Sequence, residues 1–210
     1  LITLIQMKKY LTEFIGTLFL VLIIGLTQNP LAIGFGLTVL VYMGAHISGA
    51  HYNPAVSLAM LIKKEIDTSD FFKYLISQIL GAFLAAYLVF LLSSNMVVQP
   101  NLDESIYQIL LAEVLFTYLL VLVILNVACH PKLKGNSFYG FAIGLTVMGG
   151  AYSVGGLSGG VFNPAVSIGP SMIDFISGNG ISHYFTWYYL VAPIVGSLIA
   201  VAHFNFILKK

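Results

Sequence analysis

The chain has 210 residues, of which 59% are hydrophobic and only 8% charged, with a formal net charge of +1. With a mean hydropathy of +0.95, that leaves too little charge to cover a water-facing surface and excludes a soluble globular domain; the near-neutral charge gives no sign of a nucleic-acid partner. Apolar runs long enough for a bilayer core of about 30 Å recur along the whole length, and none shows the ten-residue alternation of a membrane β-barrel.

In chain order, the first span is expected at residues 10–28. Lys8, Lys9 and the apolar run behind them imitate a signal peptide. The run is a full span, holds Glu13 and lacks a small-residue cleavage site, so it reads as a membrane helix; residues 1–6, ahead of Met7, are given no role. Further spans are expected at 31–47, 71–93, 106–128, 138–154 and 184–207. Two shorter apolar segments, 54–62 and 164–173, can cross only half a membrane and are expected to be re-entrant. The single Cys129 has no internal disulfide partner and reads as a small packing residue. The fold class is therefore an all-α membrane protein with six transmembrane helices plus two re-entrant half-helices.

Charge gives the orientation. The sequence has no Arg, and its nine Lys fall at the two termini and in the loops after spans two and four. The alternate loops carry Asp103, Glu104 and Asp174 instead. The positive-inside rule then places both termini in the cytoplasm of a multi-pass cell-membrane protein, in agreement with the even span count.

The chain also repeats. LAIGFGLTV from Leu31 resembles FAIGLTV from Phe141, Asn53 aligns with Asn163 across 110 residues, and Glu13 aligns with Glu113. One domain over 1–210 thus contains two repeats, approximately 7–95 and 106–208. Each holds three spans and a half-span, and an odd span count sets the two in opposite senses, an inverted repeat with its functional site at the interface.

Each half-span opens with Asn-Pro-Ala: Asn53, Pro54, Ala55 and Asn163, Pro164, Ala165. Asn is a favoured N-cap, Pro suits the first helical position and Ala propagates a helix. The two N-termini are expected to meet at mid-membrane, each Asn aiming an amide NH2 at the space between them. Two such donors hold one water oxygen and interrupt a proton-conducting chain, while the two helix dipoles oppose cations. The small-residue stretches ISGAHY and GGLSGGVF before the motifs are expected to be unwound, with backbone at Gly49, Ala50, His51, Gly159, Val161 and Phe162 lining a narrow polar track. Such a track suits a neutral, hydrogen-bonding solute. Intramembrane Glu13 and Glu113 are functional candidates, read either as braces for the half-helices or as proton carriers. His46 and His51 are read as packing in the first re-entrant loop, with proton relay as the alternative. His130, His183 and His203 read as interfacial. No triad, metal cluster or phosphate loop stands out, so no enzyme activity, cofactor or metal is expected.

HISGAHYNPAV (46–56), FNPAVS (162–167), the two Glu motifs with Thr17 and Thr117, SQILGA (77–82) and WYYLVAPIVGS (187–197) resemble the aquaporin (major intrinsic protein) family over nearly the whole chain. The resemblance implies a pore surrounded by six tilted helices, bracing roles for Glu13 and Glu113, and a homotetramer in the lipid bilayer. It further implies a four-residue selectivity filter at Ile33, Ala151, Gly160 and Val166, with Phe35 the nearby alternative to Ile33. Water-selective and glycerol-conducting members usually keep an Arg where Val166 stands, and glycerol facilitators follow it with Asp where Ser167 stands. A passive channel for water and small neutral solutes such as glycerol, urea, ammonia, hydrogen peroxide or metalloid acids is expected. The alternatives are a cation-leaky channel, a proton-coupled secondary transporter using Glu13 or Glu113, and a closed adhesion protein.

Overall fold

A computed structural model describes residues 3–93 and 95–208; Lys209 and Lys210, used above for orientation, lie outside the described residues. The elements are helical: α1 (Leu4–Thr27), α2 (Pro30–Ser48), the short α3 (Pro54–Ile62), α4 (Thr68–Leu92), α5 (Ile106–Ile124), α6 (Tyr139–Ser158), α7 (Pro164–Ser177), the five-residue α8 (Ile181–Phe185) and α9 (Tyr188–Leu208). Among the described residues, six segments have the length and apolarity to cross a membrane, the last being Ile181–Leu208 with a break between α8 and α9.

Several boundaries differ from the expected ones for identifiable reasons. Helix α1 starts at Leu4 because Thr3 caps it in a capping box: its hydroxyl accepts from the Gln6 N–H at 3.3 Å, and the Gln6 side chain accepts from the Thr3 N–H at 3.0 Å. Thr3 to Gln6, given no role above, therefore begin the first helix. Helix α6 runs four residues past its expected end, through Gly155 and Gly156, and stops only at Gly159, whose left-handed φ of 91° closes it. Of GGLSGGVF, only residues 159–162 are unwound. Helix α7 also runs on, to Ser177, and Asp174 sits on it, fully buried, rather than in a loop.

Packing follows the small residues. Helix α4 packs against α1, α9 against α5 and α2 against α6. A Cβ added at Gly81 would sit inside contact distance of the Phe14 carbonyl oxygen, and one at Gly196 would meet the Val114 carbonyl oxygen at 2.5 Å. Where α2 meets α6, a Cβ at Gly34 would come within 2.8 Å of the Gly144 carbonyl. Backbone-to-backbone approach of this kind is how helices associate in lipid, where no hydrophobic force draws them together. Gly81→Ala is accordingly expected to destabilise the protein by about 1–3 kcal/mol, the usual cost of overpacking. The midpoint of thermal unfolding in detergent measures it, and an unchanged midpoint would show that α1 and α4 can move apart.

Candidate functional site

The two Asn-Pro-Ala segments sit where α3 and α7 begin, and each begins as local cap chemistry dictates. Asn53 Oδ1 accepts from the Ala55 N–H at 2.8 Å, and Asn163 Oδ1 from the Ala165 N–H at 2.9 Å. The nitrogens do something that local chemistry does not specify. Asn53 Nδ2 donates to the Phe162 carbonyl at 2.9 Å, and Asn163 Nδ2 donates to the Tyr52 carbonyl at 2.9 Å. Each cap therefore binds the loop of the other motif, and the two helix starts are tied by a reciprocal pair of bonds. One amide hydrogen of each Asn is spent in this way rather than aimed at the space between the helices, and each nitrogen keeps a second.

The loops leading to the caps share one unusual backbone. Gly49, Ala50 and Tyr52 have φ of 89°, 52° and 50°; Gly159, Gly160 and Phe162 have φ of 91°, 60° and 49°. Left-handed backbone at Ala, Tyr and Phe is strained by roughly 1–3 kcal/mol per residue and persists only where its surroundings enforce it. The N–H groups of these loops bond to the two intramembrane carboxylates. Glu13 Oε1 accepts from the Ser48 hydroxyl (2.6 Å) and the His51 N–H (3.0 Å), and its Oε2 from the Tyr52 N–H (2.7 Å) and Gln78 Nε2 (2.9 Å). Glu113 repeats the pattern with the Ser158 hydroxyl (2.7 Å), the Val161 N–H (3.0 Å) and the Phe162 N–H (2.7 Å). Both are fully buried, and their bonded donors replace the water that a carboxylate loses on burial.

The repetition breaks around the first carboxylate. Tyr74 donates to the last carbonyl of α2, Ser48, at 2.7 Å, and Tyr189 to the last carbonyl of α6, Ser158, at 2.6 Å. Four residues beyond them stand Gln78 and Pro193. Gln78 also donates to the Ser57 hydroxyl at 3.0 Å, which pairs with His51 Nδ1 at 3.1 Å. In the second half the corresponding residues, Pro193 and Val161, offer no side-chain partner, and the Ser167 hydroxyl is buried without one.

A cavity of about 430 Å³ runs past both caps. Asn53 and Asn163 line it together with Ala50, His51, Gly159, Val161 and Phe162. So do all four positions of the expected filter, Ile33, Ala151, Gly160 and Val166. Phe35 is 46% exposed on the outer face of α2, whereas Ile33 is 8% exposed. Gly49 does not line the cavity: it is the left-handed cap of α2, its N–H bonded to the Ala45 carbonyl at 3.1 Å. Pro54, Ala55, Pro164 and Ala165 are likewise absent from the wall, serving the helix starts instead. Most of the remaining wall is aliphatic, from residues such as Leu20, Ile24, Leu120, Ile124 and Val147.

Sequence reasoning missed the mouth. Gln28, Gly155, Gly156 and the loop residues Met96, Val97, Val98 and Gln99 also line the cavity. That loop is held from behind by Asp174, which accepts from Asn95 Nδ2 and from the Ser182 N–H (2.8 Å), while the Ser182 hydroxyl accepts from the Val98 N–H (2.9 Å). The only available signal was the run Met96-Val97-Val98, apolar residues in a segment too short to span. Cys129 is half-buried, within 3.7 Å of the Met60 sulfur, and does not line the cavity.

A family model described as "Major intrinsic protein" matches residues 2–204. The chain is 38% identical over 211 residues to "Glycerol uptake facilitator protein-like 6" of Lactiplantibacillus plantarum, covering 92% of this chain and 95% of the relative. It is 30% identical over 244 residues to "Aquaporin AqpM" of Methanothermobacter thermautotrophicus, covering 97% and 98%. Among solved structures, the aquaglyceroporin from Plasmodium falciparum superimposes with a TM-score of 0.85 over 95% of this chain and 96% of that one, at 24% identity, a likeness of fold.

Proposed function

The chain belongs to the major intrinsic protein family, and on that premise we propose a passive channel with a wide, apolar filter that excludes protons at its paired Asn-Pro-Ala caps. Membership makes it an integral membrane protein for the passage of water and small solutes, not one of an enzyme class. The observation that carries the finer reading is the composition of the filter ring on the cavity wall: two aliphatic side chains (Ile33 and Val166), one methyl group (Ala151) and one hydrogen (Gly160), with no cation. Pore width, lining donors and electrostatic barriers set selectivity in such pores. Loss of a guanidinium at position 166 removes bulk, donors and charge together. Glycerol and urea are the solutes favoured by this reading, and the relative named as glycerol-facilitator-like supports it.

In this reading the second amide hydrogens of Asn53 and Asn163 meet a passing water or hydroxyl at the waist, and two helix N-termini keep the potential there positive. Glu13 and Glu113 act as braces. Every oxygen of each already accepts bonds from the loop or its neighbours, an arrangement that favours a fixed carboxylate over a proton carrier. The orientation with both termini cytoplasmic, the two inverted repeats and a homotetramer in the cell membrane complete the proposal.

Uptake of labelled glycerol into proteoliposomes separates this channel from a coupled transporter. The channel gives uptake that rises linearly with glycerol concentration and ignores an imposed pH gradient. Saturation or gradient-driven accumulation would favour the transporter, and ionic currents in a planar bilayer would favour a cation leak.

A further inference from the structure

Glycines inside a transmembrane helix usually answer to a neighbour. Gly34, Gly81, Gly144 and Gly196 all do, since a Cβ at each would strike another helix's backbone. Gly155 and Gly156 do not. They lie in the last turn of α6, where Gly costs about 1 kcal/mol against Ala in a helix interior, and a Cβ at either would meet nothing within 4 Å. Both line the cavity. Gly155 is one turn beyond the filter residue Ala151 on the same helix face, and a Cβ at Gly160 would approach the Cα atoms of Ala151 and Gly155 at 3.3 Å each.

We infer that Gly155 and Gly156 form a second size-determining wall at the cavity mouth, whose lack of side chains admits small polyols of glycerol size and above to the filter ring. This rests on the channel reading given above. The space stays open because the loop on the same mouth is tied back: Val98 is bonded to Ser182 and Ser182 to Asp174. The void is therefore fixed by a buried carboxylate rather than left for the loop to fill. A Cβ at position 155 meets nothing within 4 Å and lies on the cavity wall, so a side chain there extends into the solute path instead of deforming the helix.

The test uses Gly155→Cys and, as control, Gly149→Cys, both with Cys129→Ser, purified and reconstituted before modification so that folding is not at issue. A Cβ at Gly149 also meets open space, but Gly149 does not line the cavity. Separate batches of the proteoliposomes are treated with either a methyl or a benzyl methanethiosulfonate, and modification is followed by mass spectrometry. The benzyl adduct at position 155 is expected to lower glycerol permeability about tenfold, the scale on which a pocket discriminates by a methylene or more, with a smaller loss for water and for the methyl adduct. The control keeps its glycerol permeability. Full modification at position 155 without a change in glycerol flux overturns the inference alone, as does a thiol there that stays unreacted. Absence of glycerol flux in the untreated parent overturns the channel reading, and this inference with it.

Discussion

Replacing Glu13 with Ala is expected to cost about 4 kcal/mol or more, since it strands buried donors at about 1–3 kcal/mol each. Four donors converge on this carboxylate: the Ser48 hydroxyl, the His51 and Tyr52 N–H groups and Gln78 Nε2. The substitution also frees the left-handed backbone at Ala50 and Tyr52, and with it the loop carbonyl of Tyr52 to which Asn163 is bonded. The damage should therefore reach the opposite motif. Glu113→Ala removes the acceptor for three donors, because Pro193 stands where Gln78 has its counterpart. The predicted order of thermal stability in detergent is parent, then Glu113→Ala, then Glu13→Ala. A Glu13→Ala protein as stable as its parent would show that the carboxylate does not brace the loop and would reopen its reading as a proton carrier.

Val166→Arg should change selectivity as strongly as the Glu variants change stability. Val166 is 3% exposed and shares the cavity wall with Gly160 and Asn163. A guanidinium there adds bulk, five N–H donors and a fixed charge on the wall that residues 159–162 also line. Glycerol permeability is expected to fall about tenfold or more, by the discrimination available to a pocket that gains steric and polar contacts, while water falls less. Stopped-flow light scattering on proteoliposomes measures both solutes on one preparation. If the glycerol-to-water ratio of Val166→Arg matches that of the parent, position 166 is not the filter.

The residues that could be read in the sequence were those whose chemistry is local. Asn-Pro-Ala announces a helix start because cap, first turn and propagation involve neighbours, and both half-helices begin at Pro54 and Pro164 as expected. The six spans were legible from apolar length alone. The ends were not. Gly155 and Gly156 look like loop residues, yet α6 continues through them because nothing stops it before the left-handed turn at Gly159. Thr3 and Gln6 lie ahead of the apolar run, so hydropathy passed over a capping box. The bonds from each Asn to the opposite loop join residues 109 and 111 apart. No pattern along the chain can specify such a pair; only the meeting of the two halves does. The same holds for Asp174, whose charge suggested a loop and whose bonds to Asn95 and Ser182 explain its burial.

Solute-driven swelling of proteoliposomes across a size series, from water through urea and glycerol to a five-carbon polyol, tests the wide apolar filter most directly. The predicted result is permeability to urea and glycerol well above that of empty liposomes, with a cutoff set by size rather than by hydrogen-bonding pattern. Water permeability alone, with urea and glycerol at the level of empty liposomes, would contradict it.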